Sequence, residues 1–149
     1  MASNQSLSLS TLAALALTLV IAASTVTCTN TEAKQKAVGG IEPADLNDVD
    51  VQKAVDFAVE TYNDLTKDPY VSKPIQVMSA GQQIVYGKNF YLKIKLGRTT
   101  CTKGQSVDLA DCPFNEQPEK QERTICNFEV NAVSWENKIT MTNFSCHSP

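Results

Sequence analysis

Histidine occurs once in these 149 residues, at position 147, and tryptophan once, at position 135. A Cys-His nucleophilic pair would have to be built from Cys146 and His147, with Cys146 reduced. No Cys-x-x-Cys pair occurs, and one histidine offers little toward a zinc ligand set. The chain is therefore expected to need no metal and no cofactor, to hold no catalytic residue and to be no enzyme. Clusters of Lys and Arg are also missing; with a net charge of −3 and a pI near 5.1, the basic patch that nucleic-acid phosphates require is not there. Lys93 and Lys95, flanked by Lys88 and Arg98, alternate with apolar residues and read as the solvent side of a strand. There is no internal repeat and no dividing linker, so the length sets one domain.

Charge is absent from the first thirty residues. Residues 12–23 are apolar apart from Thr18, a run short of the roughly 20 residues that span a membrane and suited to the core of a secretory signal peptide. Residues 1–28 are read as that signal, with cleavage after Ser24 or Cys28, and residues 29–149 as a single domain with a mobile arm to about residue 40. After signal removal no membrane association is expected, and the protein is expected to be extracellular. The chain has five cysteines. Cleavage after Cys28 leaves Cys101, Cys112, Cys126 and Cys146, which permit three pairings.

Residues 47–65 place apolar side chains at Val51, Ala54, Val55, Ala58, Tyr62 and Leu65, the spacing of one buried helix face. Gln52, Lys53, Asp56, Glu60 and Asn63 fall on the opposite, solvent face. Asn47, Asp48 and Asp50 supply an N-cap and acids for the first turn, so the helix is expected to start near Asp48. Lys67-Asp68-Pro69 ends it, because proline disfavours helical geometry in the residue before it. Beyond Pro74 the period becomes two. Phe90, Leu92, Ile94 and Leu96 share one side of a strand; Cys126, Phe128, Val130 and Ala132 share one side of another, against Asn127, Glu129 and Asn131. A strand is expected to start near Ile75, and residues 138–145, rich in Thr, Ile and Phe, form the last. Residues 101–123 show no period and read as an excursion. One helix followed by antiparallel strands is an α+β layout whose sheet buries one face against the helix.

Three uncharged segments stand apart in this chain: Ala37-Val38-Gly39-Gly40, Gln83-Ile84-Val85-Tyr86-Gly87 and Val133-Ser134-Trp135. The second and third fall between expected strands, where turns must occur, and Glu136-Asn137 suits a hairpin tip. Gly87 suits a positive φ and close backbone approach to a partner. Trp135 beside a hairpin tip carries a hydrophobic cost unless a partner covers it. Taken in order with Leu96-Gly97-Arg98-Thr99-Thr100-Cys101 and Cys112-Pro113-Phe114, these segments resemble the secreted type 2 cystatins, reversible protein inhibitors of papain-like cysteine proteases. The resemblance runs from about residue 37 to residue 146.

The resemblance implies a cystatin fold, a five-stranded antiparallel sheet wrapped around one long helix. It implies disulfides Cys101–Cys112 and Cys126–Cys146. It also implies that Val38, Gly39, Gly40, Gln83, Ile84, Val85, Tyr86, Gly87, Ser134 and Trp135 form a wedge that occludes the cleft of a papain-like protease such as a cathepsin, with Val38 in an apolar specificity pocket. Serine stands at 134 where these cystatins usually carry proline, which would leave Trp135 less firmly fixed. Lys67 stands where some members present asparagine to legumain, so weak or absent legumain inhibition is expected. The alternative reading is a secreted cystatin-like interaction module with weak or no protease inhibition. A monomer is the expected form, and a dimer that exchanges the first hairpin is left open. Asn143-Phe144-Ser145 is an N-glycosylation sequon; Asn4-Gln5-Ser6 also matches but should depart with the signal.

Overall fold

The computed structural model describes residues 39–105 and 108–149. The expected signal, the arm ahead of Gly39 and Val38 lie outside the described residues. Among those described, no helix is long and apolar enough to cross a membrane.

The helix, α1, runs Val49–Leu65. Asp48 caps it, its carboxylate accepting a hydrogen bond from the Asp50 amide at 2.8 Å, which satisfies one of the otherwise unpaired first-turn donors. At the other end the Thr66 amide bonds Tyr62 O at 3.0 Å, and Lys103 donates its ammonium to Thr66 O at 2.6 Å. A cation at that carbonyl also suits the negative end of the helix dipole.

Five strands follow sequence order across one antiparallel sheet: β1 (Glu42–Pro43), β2 (Tyr70–Val85), β3 (Gly87–Thr102), β4 (Arg123–Val133) and β5 (Lys138–His147). Phe90, Leu92, Ile94 and Leu96 of β3 and Cys126, Phe128 and Val130 of β4 are fully buried against Val51, Ala54, Val55, Ala58 and Val59 of α1. Tyr62 meets Phe128 and Phe144 edge-on, with centroids 6.2 and 6.3 Å away, and Phe128 stacks on Phe144 at 6.0 Å. Burial raises the Tyr62 hydroxyl pKa, with a smaller contribution from the charge of Asp68.

Three expectations need correction. Leu65 is 60% exposed, whereas Val59 occupies the buried face and Asn63, assigned to solvent, is only 8% exposed. The reason is a polar clamp: Asn63 donates to Ser72 O and accepts from the Ser72 amide, both at 2.8 Å. It pairs two backbone groups that an irregularity between Tyr70 and Ser72 would otherwise leave buried. Second, β2 begins at Tyr70, not near Ile75. Pro74 is accommodated inside it at a register shift, on the side that β1, paired only with Gly81 and Gln82, leaves uncovered. Further shifts along β2 bend it around the helix. Third, Lys88 and Arg98 are not simply solvated. Lys88 pairs with Asp50 at 2.9 Å. Arg98 pairs with Asp68 at 3.0 Å and Glu122 at 3.1 Å, its guanidinium 4.5 Å from the Tyr70 ring centre.

The excursion after β3 contains 3-10 turns at Leu109–Asp111 and Pro118–Lys120. Cys101 is joined to Cys112, and Cys126 to Cys146. Each link closes a short loop and, on loop-entropy grounds, contributes on the order of 3 kcal/mol.

Candidate functional site

The β2–β3 and β4–β5 hairpins emerge at the same end of the sheet. The first is tighter than the sequence suggests. Gln83, Ile84 and Val85 remain in the ladder, opposite Asn89, Lys88 and Gly87, and Tyr86 alone forms the turn. Gly87 has φ +84°, and a Cβ there would lie 2.3 Å from Ala132 O. The close approach that this glycine permits is therefore to β4 of its own chain, and it seats one hairpin against the other.

In the second hairpin Ser134–Glu136 forms a 3-10 turn closed by Asn137 in the left-handed region, φ 49°, which asparagine tolerates better than most residues. The Trp135 and Tyr86 rings meet edge to face with centroids 5.3 Å apart, and the Tyr86 hydroxyl hydrogen-bonds Glu136 Oε1. With serine at 134, Trp135 is located by the neighbouring hairpin instead of by a proline ring. Asn131 adds a third link, donating to Tyr86 O at 3.2 Å and Asn89 Oδ1 at 2.7 Å.

The N-terminal segment joins the same end. Exposed Gly39 and half-buried Gly40 lead into β1, which pairs Glu42 with Gln82 and Pro43 with Gly81. A side chain at Gly81 would strike Ile41 at 2.9 Å, so that glycine makes room for the segment. Gln83 fastens it: the amide nitrogen donates to Gly39 O, and its oxygen accepts from the Tyr91 hydroxyl at 2.9 Å.

Ile41, Ile84, Val85, Tyr86 and Trp135 are all exposed, Tyr86 and Trp135 to 66% each. Large apolar side chains held outward by hydrogen bonds and ring packing, on a projecting edge, suit insertion into a partner's cleft. The sequence assigns no site role to Tyr91, Asn131 and Ile41, and marks Glu136 only as part of a hairpin tip. Asn131 appeared only as the solvent side of a strand, and Tyr91 falls between the core residues Phe90 and Leu92 on the corresponding face of its own strand; their partners come from positions 8 and 45 residues away. Their signal was residue type: tyrosine and asparagine bring hydrogen-bonding groups to a face that lysine would merely solvate.

Other candidates lie elsewhere. Lys67 is exposed just after α1, and His147 ends β5, its carbonyl accepting from Thr124 at 3.0 Å. Asn143 is exposed on β5. Among the described residues no three His, Cys, Asp or Glu side chains are grouped to hold a metal ion. A cleft of about 750 Å³ lies between the second half of α1 and the Cys101–Cys112 loop, lined by Val59, Val71 and Leu109 among others. None of the hairpin residues borders it.

The architecture and this edge suit a protein that presents a preformed surface. Comparison with known proteins gives the family. The Cystatin domain matches residues 39–135. Mouse Cystatin-D is 60% identical over 148 residues, 99% of both chains, and rabbit Cystatin-C is 42% identical over 137 residues, 92% of both. Among solved structures, dimeric human cystatin F is similar with a TM-score of 0.69 and 30% identity, covering 83% of this chain and 98% of that one. The chain belongs to the cystatin family, in its type 2 branch. Cystatins are inhibitors of cysteine proteases and not enzymes, and type 2 members are secreted.

Proposed function

We propose that this protein is secreted and, as a monomer, inhibits papain-like cysteine proteases by filling their active-site cleft. The contact residues in this reading are Val38, Gly39, Gly40, Gln83, Ile84, Val85, Tyr86, Gly87, Ser134 and Trp135. The observation that carries it is the convergence of three separate chain segments on one projecting apolar edge, with Trp135 set against Tyr86. Val38 enters an apolar pocket of the protease, the first hairpin sits over the catalytic cysteine, and Trp135 packs on the leaving-group side of the cleft.

No covalent step is needed, and the chain itself catalyses nothing. A standard interface buries about 800 Å² per partner, and nanomolar affinity corresponds to about 12 kcal/mol. The ladder that holds Gln83 to Val85 and the ring contact at Trp135 favour such affinity, because the hairpins lose little freedom on docking. Gln83 supports the N-terminal segment in the same way, by tying Gly39 to the first hairpin. Lys67, a cation in place of a neutral amide, argues for weak or absent legumain inhibition.

Titration of papain with the oxidised, signal-free protein tests the reading, alongside a variant carrying Val85→Asp and Trp135→Ala. Stoichiometric, reversible inhibition by the parent and its loss in a variant that still folds are expected. A folded monomeric parent that leaves papain active would overturn the proposal and leave an interaction module on a cystatin scaffold.

A further inference from the structure

The two long edges of the sheet are protected unequally. An unpaired strand edge invites pairing with another chain, and proteins discourage this with charges, proline and bulges. The β2 edge, where β1 does not cover it, carries Lys73, Pro74 and several register shifts. β5, at the other end of the strand order, is ten residues long, and between Lys138 and His147 it has neither charge nor proline. Ile139, Thr140, Thr142 and Phe144 also favour strand pairing.

The one irregularity in β5 changes what it exposes. Glu129 faces Asn143 and Val130 faces Met141, so Thr142 is an extra residue, its hydroxyl bonded to Glu129 O at 3.1 Å. This shifts the alternation. Met141 and Phe144 both pack on the core, and Asn143 between them is exposed, projecting from the opposite face of the sheet. Asn143 also begins the Asn-Phe-Ser sequon.

We propose that Asn143 carries an N-linked glycan and that this glycan guards the β5 edge against pairing with a second copy of the chain. The inference rests on the proposed secretion but not on protease binding. In the modification, Nδ2 of Asn143 forms a bond to the anomeric carbon of a lipid diphosphate-linked oligosaccharide. The bond from that carbon to the diphosphate oxygen breaks, the lipid diphosphate leaves, and the amide gives up one proton. Asn143 faces Glu129 and Lys138 faces Val133, four β4 residues apart and roughly 14 Å at strand spacing, so the glycan stands clear of the hairpin edge.

The full chain, secreted from mammalian cells, is weighed intact before and after peptide N-glycanase. The expected result is a mass excess that the glycanase removes and that Asn143→Gln and Ser145→Ala each abolish, while Ser145→Thr retains it. The secreted Ser145→Ala protein, which keeps Asn143 but lacks the glycan, is then compared with the parent by sedimentation. Self-association that rises at least several-fold in the absence of the glycan, with inhibition of papain by the monomer unchanged within about two-fold, is expected. Secreted protein with Asn143 unmodified would overturn the proposal, as would glycosylated and unglycosylated forms that remain equally monomeric. Papain inhibition is read separately, so failure of the inhibitor reading and failure of this one are distinguishable.

Discussion

The two ends of the sheet are held by different means. At the end remote from the hairpins the links are a disulfide, Cys101–Cys112, a buried clamp of Asn63 on Ser72, and the partly exposed ion pairs of Arg98 with Asp68 and Glu122. Cys126–Cys146 ties β4 to β5 well back from the turn. At the hairpin end the links are exposed hydrogen bonds and a ring contact, among Gln83, Gly39, Tyr86, Glu136 and Trp135. In the proposed reading, stability and recognition are thus assigned to opposite ends. Apolar side chains can then stay uncovered at one end because the other keeps the chain folded.

The largest separation of the two should come from removing a link remote from the turns. Replacing both Cys126 and Cys146 by alanine is expected to cost about 2–5 kcal/mol of stability, read by denaturant unfolding, while the fraction that remains folded inhibits papain as the parent does. Gly87→Ala should break the separation, since it forces a side chain into both the left-handed region and Ala132 O. A loss of about 1–3 kcal/mol in stability is expected from the backbone alone, with weaker inhibition in parallel, measured by thermal unfolding and Ki on one preparation.

Trp135→Ala should affect the exposed end only. Affinity for papain is expected to fall by about 2 kcal/mol, roughly 30-fold, with thermal unfolding unchanged because the side chain is already mostly in water. Tyr91→Phe removes the hydroxyl that orients Gln83 and should weaken inhibition by less than about 1 kcal/mol. That loss should vanish in a protein truncated through Gly40, where there is no N-terminal segment left to fasten.

The smallest effect concerns pH. A hydrogen bond from Lys88, and then its charge, hold the Asp50 carboxyl below its ordinary value. Because the folded pKa is lowered, the stabilisation is fully present above the unfolded value of about 3.9 and is lost as pH falls through the folded value. Both side chains are more than a third exposed to solvent or close to it, which limits the contribution to less than about 1 kcal/mol. Comparing acid unfolding of the parent with Lys88→Met should show it.

What could be read from the sequence was whatever repeats with a period. The alternation in β3 and β4 and the Val51, Ala54, Val55 and Ala58 spacing marked the core, because one buried face imposes a pattern on its own residues. Asn63 was misassigned for the opposite reason. A helix period cannot distinguish an amide facing water from one clamping an irregular strand, since the demand comes from Ser72, nine residues away. Leu65 fits the helix period, yet as the last residue of α1 it lies 60% exposed. Site segments stood out through their lack of charge, but the side chains that fix them did not. Tyr91, Asn131 and Glu136 act only once β2 through β5 are in register, and register is a property of the whole sheet.

Hydrogen exchange on this protein, alone and bound to papain whose catalytic cysteine has been changed to serine, tests the division of labour most directly. New protection confined to residues 39–42, 83–88 and 133–138, with none in the Cys101–Cys112 loop, is the result expected of a wedge that acts without chemistry. Tight binding with protection centred on the cleft beside Val59 and Leu109, and unaltered exchange at both hairpins, would contradict it.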